Sequence, residues 1–515
     1  MARGGSGPYL GAISCLTFCR GPGCYYGVVR HNQMTVLPIH EFDQVYVISD
    51  LHIGGLTNFQ IFRQGSLLAS LIDWLTQRDT GQRVGLCING DTVDFLAEQS
   101  ATYFDPVGAT TKLDRMFQDA AFQPVWLALQ RLVATPNRRL VLTLGNHDLE
   151  LALPWVQEHL TRFLSQGKDE ARGRVTLSFD GAGYCCQVGD KTVLCLHGNE
   201  FDAWNLTDHE RLRRIGRDAV QGRLVADWTP NAGTKLVIDV MNELKRRYAF
   251  VDVLKPEVEA VLPILWVLGE ATRSRLNRVV AVSRRLTWDA VRKATGFLGP
   301  GEAPTNKPVE LSEPLENTAY LPSFSMDRAD NDRLLDWAEE QAAVGTEPLS
   351  LVEGTSDRLG FGGALWDRVR GRSQDEQAWE ALKGLAADST FAVDREDDTY
   401  RRADEFVGQD VDYLITGHTH QARALPRRNG GGRYFNSGTW ATLMHLTVEQ
   451  LKSADAFKSV FQRITAARDL SSLSNLVDQR PTVVAILKGA DGITTAALSL
   501  FSNDNMSPSL KEISR

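Results

Sequence analysis

Cysteine is scarce in this chain, with seven residues in 515, too few for a disulfide framework at this length. That usage points to a reducing compartment and a cytoplasmic protein. Cys15, Cys19 and Cys24 have no fourth cysteine near them and His31 is a distant partner, so a closed structural zinc site is not expected. Long apolar runs are missing too. The most apolar one, Val258–Leu268, is interrupted by Glu259 and Pro263 and is too short to span a bilayer. Tyr9–Phe18 is broken by Gly11, Ser14 and Cys15, unlike the apolar stretch of a secretory signal. There is no excess of basic charge: 56 Lys and Arg stand against 64 Asp and Glu, a net charge of −8. Nothing global therefore steers the chain toward nucleic acid. The local clusters Arg211–Arg217 and Lys245–Arg247 read as solvated helix faces.

What remains is ordinary globular composition, 43% hydrophobic and 23% charged, with enough length for more than one domain's core. Val45–Ser49, Val84–Asn89 and Leu140–Leu144 read as buried strands. Amphipathic helices are expected between them at Ser66–Trp74 and Gln123–Val133, and after them at Leu149–Leu164. That alternation predicts an α/β layer architecture. Val175–Phe179, Tyr184–Val188 and Thr192–Leu196 follow with short turn signals between them, and are expected to pair antiparallel. Further strands are expected at Val411–Ile415, Arg433–Phe435, Thr482–Leu487 and Thr494–Leu500, giving a two-sheet α/β sandwich. From Asn205 to about Asp410 the pattern becomes helical, with Gly- and Pro-rich turns. The expected organisation is an N-terminal appendage (1–40), a first core segment (41–204), an inserted helical cap (205–410) and a second core segment (411–505). Leu262–Trp266 would line an apolar cleft in the cap or form the cap's own core.

Five short words carry the chemistry: Asp50-Leu-His52, Gly90-Asp91-Thr-Val-Asp94, Gly145-Asn146-His147-Asp148, His197-Gly198-Asn199 and Gly417-His418-Thr-His420. The words follow β-branched, apolar runs, at strand ends where open α/β sheets place ligands. Five of the ten histidines fall within them. Asp50 and His52, two residues apart, would share a face in an extended segment. Asp91, alone after a strand and a glycine, is the natural carboxylate to bridge two cations. Asn146 offers a carbonyl oxygen; His197, His418 and His420 offer imidazole nitrogens. Such mixed N/O ligation suits Mn, Fe, Zn or Co better than Ca or Mg. Phosphoester hydrolysis needs an attacking hydroxide at neutral pH and charge cancellation on the phosphoryl oxygens, and two metals about 3.5–4 Å apart supply both.

The ordered set of words resembles the calcineurin-like metallophosphoesterase superfamily over residues 44–204 and 411–440. That resemblance implies a sandwich of α/β/β/α layers holding two divalent metal ions, manganese first, with iron or zinc as alternatives. Asp50, His52, Asp91 and His420 would hold one metal, and Asp91, Asn146, His197 and His418 the other. His147 would act as general acid or phosphoryl-oxygen donor, oriented by Asp94. The implied activity is hydrolysis of a phosphomonoester, phosphodiester or pyrophosphate by metal-hydroxide attack, on a small-molecule, lipid or nucleotide substrate. A nuclease or a non-catalytic binding scaffold are the alternatives. His197–Asp202 and Tyr434–Trp440 are similar to the branch containing UDP-diacylglucosamine pyrophosphatases. Two features depart from that branch: His147 stands where it usually has Arg, and the expected cap is far larger.

Overall fold

The computed structural model describes residues 39–202, 204–223, 228–255, 261, 264, 267–268, 373–383 and 391–513. Its strands are β1 His40–Phe42, β2 Gln44–Ile48, β3 Val84–Asn89, β4 Arg138–Thr143, β5 Val175–Ser178, β6 Tyr184–Val188, β7 Lys191–Cys195, β8 Leu254–Lys255, β9 Tyr413–Thr416, β10 Arg423–Pro426, β11 Arg433–Asn436, β12 Met444–His445, β13 Thr482–Lys488, β14 Thr494–Asp504 and β15 Ser507–Glu512. Two large sheets result. One runs β15-β14-β13-β2-β3-β4-β5, the other β1-β6-β7-β9-β11-β10.

The apolar runs of β2, β3 and β4 are continuous because both of their faces are covered. Val45 and Val47 of β2, Cys87 of β3 and Val141 of β4 pack between the sheets with Tyr184, Val193, Ile415 and Phe435. The alternate residues, Tyr46, Ile48, Leu86, Ile88, Leu140 and Leu142, join the core under the outer helices. Those helices are Gly65–Gln77, Ala109–Gln118, Gln123–Ala134 and Pro154–Ser165. In Gly65–Gln77, Leu68, Leu71, Ile72 and Leu75 fall on one face, as a 3.6-residue period requires. Each such side chain contributes roughly 2 kcal/mol by leaving water. On the far side, the helix Asp398–Phe406 lays Tyr400 and Ala403 against Leu414 and Tyr434 of the second sheet. Asp397 caps it, accepting from the Tyr400 N–H at 2.8 Å. The layers are therefore α/β/β/α.

One expectation fails. Val175–Ser178 does not pair with the strands after it; β5 lies parallel to β4 in the first sheet, with Leu140 opposite Val175. The helix Pro154–Ser165 supplies the crossover that a parallel pair needs. The turn around Gly181–Gly183 carries the chain across to the second sheet, where β6 and β7 do pair antiparallel.

A second apolar core lies outside the sandwich. It joins Phe250, Val251, Val253 and Leu254 to Ala378 and Leu382 and to Phe457, Phe461, Ile464 and Leu473. The helix Gln374–Leu382 packs on the helix Ala454–Ala466. Part of the expected insertion thus shares its core with residues after the last metal word. Of the Leu262–Trp266 stretch, Ile264 is described, and it is fully buried in this core. The helices expected at 274–292 and 328–342 lie outside the described residues. Among the described residues no helix is long and apolar enough to cross a membrane.

Candidate metal centre

The five words meet where the parallel strands of both sheets end: Asp50 follows β2, Asp91 follows β3, Asn146 and His147 follow β4, His197 follows β7, and His418 and His420 follow β9. The turns that bring them together are tight. Asp50, His52, Asp91, His418 and His420 all have positive φ, between 48° and 67°, a region that Asp and His occupy more readily than most residues. Asp50 and His52 therefore do not share a face by extended alternation, as their spacing predicts. Two successive reversals aim them, while His52 donates its N–H to the Asp91 carbonyl at 2.9 Å. Strain on the order of 1–3 kcal/mol per residue is held by the surrounding bonds. Thr439 Oγ1 donates to the Asp50 carbonyl at 2.7 Å, and Asn436 Nδ2 to the Gly417 carbonyl at 2.7 Å.

Two glycines are demanded by close approach. A Cβ on Gly90, whose φ is +81°, would lie 2.2 Å from His197 Nδ1, and one on Gly145 would lie 2.1 Å from Asp91 Oδ1. The strand-end glycines let neighbouring words touch.

The ligating atoms converge in three overlapping groups: Asp50, His52 and His420; Asp50, Asp91 and His197; and His52, Asp94 and His147, with the atoms of each group within 4.8 Å of one another. His52 Nε2 faces His420 Nε2 at 3.0 Å. Asp91 Oδ2 sits 3.3 Å from His197 Nε2 and 3.7 Å from His52 Nε2, between the two sets. His197 Nδ1 lies 2.9 Å from the Asn89 carbonyl, which fixes that nitrogen as a donor and leaves Nε2 to face Asp91. His418 comes in differently, its Nε2 held 2.9 Å from Asp202 Oδ2.

Some atoms here have no protein partner. Asn146 Oδ1 and His420 Nδ1 are buried and make no hydrogen bond, although most buried polar groups do. The charges agree with a cation site. Burial opposes ionisation of Asp91, but His197, His147 and His52 hold its carboxyl well below the usual range. Burial likewise opposes protonation of His197, yet Asp91 and Asp50 raise it to about 10. His420, where burial dominates, is lowered to about 4. A pocket whose carboxylates force a proton onto a buried histidine is one that attracts divalent cations, and the residues present fit such ions.

His147 stands at the rim, 20% exposed, with Nδ1 3.2 Å from Asp94 Oδ1. Asp94 does more than the sequence suggests, since its Oδ2 also lies 3.2 Å from His52 Nδ1. One carboxylate thus orients both rings.

Two residues escaped the sequence reading. Asp202 holds His418 and accepts from Asn205 Nδ2 at 2.7 Å. Asp148 accepts from the Thr92 and Gly145 N–H groups, each at 2.7 Å, tying the second word to the third. Both stand inside the words and their flanks; a carboxylate next to a ligand is the signal, though it does not say which loop it reaches.

Fold and site together define a metallophosphoesterase-type sandwich. The family model described as calcineurin-like phosphoesterase matches residues 44–258, from β2 through β8. Members of that family generally hydrolyse phosphoesters and bind divalent metals. No curated protein matches the chain. His418 and His420 lie beyond the matched residues, yet the fold brings His420 Nε2 to 3.4 Å from Asp50 Oδ1.

Proposed function

We propose that the protein is a phosphoesterase using two divalent cations. Asp50, His52, Asp91 and His420 hold one, and Asp91, Asn146, His197 and His418 hold the other. The observation that carries this reading is the convergence of buried carboxylates and histidines with the unpartnered Asn146 Oδ1. Cations there lower the pKa of bound water and cancel charge on phosphoryl oxygens.

The chain's own residues do the rest. Asp91 lies between the two ligand sets and is shared by them. Asp94 and Asp202 hold the rings of His52, His147 and His418 in place. Burial lowers His147, but Asp94 and Asp91 outweigh it and raise the ring to about 9, so it carries a proton at neutral pH. From the rim it donates that proton to the leaving oxygen. Manganese is the first choice of metal, with iron or zinc next, because the donor set mixes imidazole and carboxylate. The substrate is a small phosphoester.

The test is turnover of p-nitrophenyl phosphate, bis-p-nitrophenyl phosphate and single-stranded DNA with Mn²⁺, beside elemental analysis. Asp91→Asn is expected to lose both bound metal and turnover. A variant as active as the wild type would sink the site assignment, and a wild type without metal or turnover would sink the enzyme.

A further inference from the structure

Among the proposed ligands Asn146 alone is an amide. Its oxygen can hold a cation and its nitrogen cannot, yet the two ends have nearly the same shape. A centre that uses Asn146 therefore needs something to choose between them. Asn146 Oδ1 is buried and makes no hydrogen bond, whereas Nδ2 faces Asn205 Oδ1 at 3.5 Å. That separation is at the long limit of a hydrogen bond. Asn205 can steer the amide only if its own amide is fixed.

It is fixed by Asp202. Asn205 Nδ2 donates to Asp202 Oδ2 at 2.7 Å. A carboxylate only accepts, so the end of Asn205 that faces Asn146 must be its oxygen. Asp202 is held in turn: Oδ2 lies 2.9 Å from His418 Nε2, and Oδ1 accepts the Trp204 N–H at 2.9 Å. The main chain closes this loop, with the Asn205 N–H donating to the Asp202 carbonyl at 3.1 Å and Asn199 Nδ2 to the Asn205 carbonyl at 3.0 Å. A line of contacts thus runs from His418, after β9 of one sheet, through Asp202 and Asn205 to Asn146, after β4 of the other.

A residue further into the expected insertion backs Asn205. Gly233 lies in the short helix Ala232–Leu236, where glycine is a poor helix former. Its N–H donates to the Trp204 carbonyl at 2.8 Å, and a Cβ there would stand 2.0 Å from Asn205 Oδ1. Gly233 is not one of the positive-φ glycines. Close approach to Asn205, not backbone conformation, is what a side chain at 233 would violate.

Resting on the two-cation reading, we infer that Asn205 is a positioning residue of the metal centre. It holds the Asn146 amide by its nitrogen, which leaves the oxygen for the cation, and Gly233 gives Asn205 the room to do so.

The test is calorimetric titration of the metal-depleted full-length protein with Mn²⁺, on wild type, Asn205→Ala, Asn146→Ala, the double variant and Gly233→Ala. Asn146→Ala identifies the site, because Asn146 belongs to one proposed ligand set. Asn205→Ala is expected to weaken that same site about 10–100-fold and to leave the other unchanged. The double variant is expected to bind no more weakly than Asn146→Ala, whereas a merely structural role would add its own loss. Gly233→Ala is expected to weaken the same site although alanine is the better helix former, which keeps the inference testable should Asn205→Ala fail to fold. Unchanged affinity in Asn205→Ala or Gly233→Ala, equal weakening of both sites, or additive losses would each overturn it. A wild type that binds fewer than two Mn²⁺ is a separate outcome: it overturns the two-cation reading, and the inference with it.

Discussion

At the scale of single residues, the site depends on carboxylates that aim histidines, and on one histidine that stays at the rim. His147 is proposed as the proton donor and lies outside both proposed ligand sets. His147→Asn is therefore expected to lower kcat by about 10²–10⁴-fold while elemental analysis still finds metal. Loss of metal together with activity would move His147 from proton transfer to ligation. Glu150 gives a residue-level test away from the ligands. It is buried, and burial raises it from 4.5 to about 7 while its carboxylate accepts the Asp105 N–H at 2.9 Å. The folded state thus binds this proton more tightly than the unfolded chain. The stabilisation is complete below pH 4.5 and is lost as pH rises through about 7, a change of roughly 3 kcal/mol. Glu150→Gln replaces the protonated carboxyl by an uncharged amide. Its melting temperature is expected to match wild type near pH 4.5 and exceed it at pH 8; parallel profiles would show that Glu150 does not titrate in this window.

At the scale of elements, the ligands are set by strand ends and the turns that follow them. Gly90→Ala puts a Cβ against the His197 ring at a φ of +81°. The mutant protein should fold, because β3 itself is untouched, but bind metal less tightly by at least about tenfold and unfold some degrees lower. Titration with Mn²⁺ beside a melting curve checks both, and unchanged affinity would mean that the close approach of the second and fourth words is dispensable. The strands themselves were legible in the sequence because a strand covered on both faces must be apolar throughout, as Val45–Ile48 and Leu86–Ile88 are. The partner of Val175–Ser178 was not. Four residues of mixed polarity suit either sheet, and the choice was made by the helix Pro154–Ser165, which returns the chain parallel to β4. The helix Ala454–Ala466 shows the same limit. Its apolar face is readable, but the sequence does not say that Phe457, Phe461 and Ile464 meet Phe250 and Leu382 and not the sandwich.

At the scale of the whole molecule, candidate ligands from five strand ends join both sheets and close the chain upon itself, since Asp50 and His420 come from opposite ends of the core. Cations bound only by the folded state stabilise it by mass action, by about 2.7 kcal/mol at a concentration one hundred times Kd. Chelation is expected to lower the melting temperature of the wild type and to leave Asp91→Asn unmoved, as scanning calorimetry would show. If both respond alike, the cation that matters is bound elsewhere.

The sequence by itself determined the five words, their order and the layered sandwich. These are local properties: residue types that bind cations, placed after runs that can only be buried strands. Only the tertiary structure decided which carboxylate serves which ring, as with Asp202 on His418 and Asp94 on both His52 and His147, and that positive φ, not extended alternation, aims Asp50 and His52. It alone also placed Asn205 between Asp202 and Asn146. Such contacts join residues hundreds of positions apart, and no spacing along the chain records the distance between them in space.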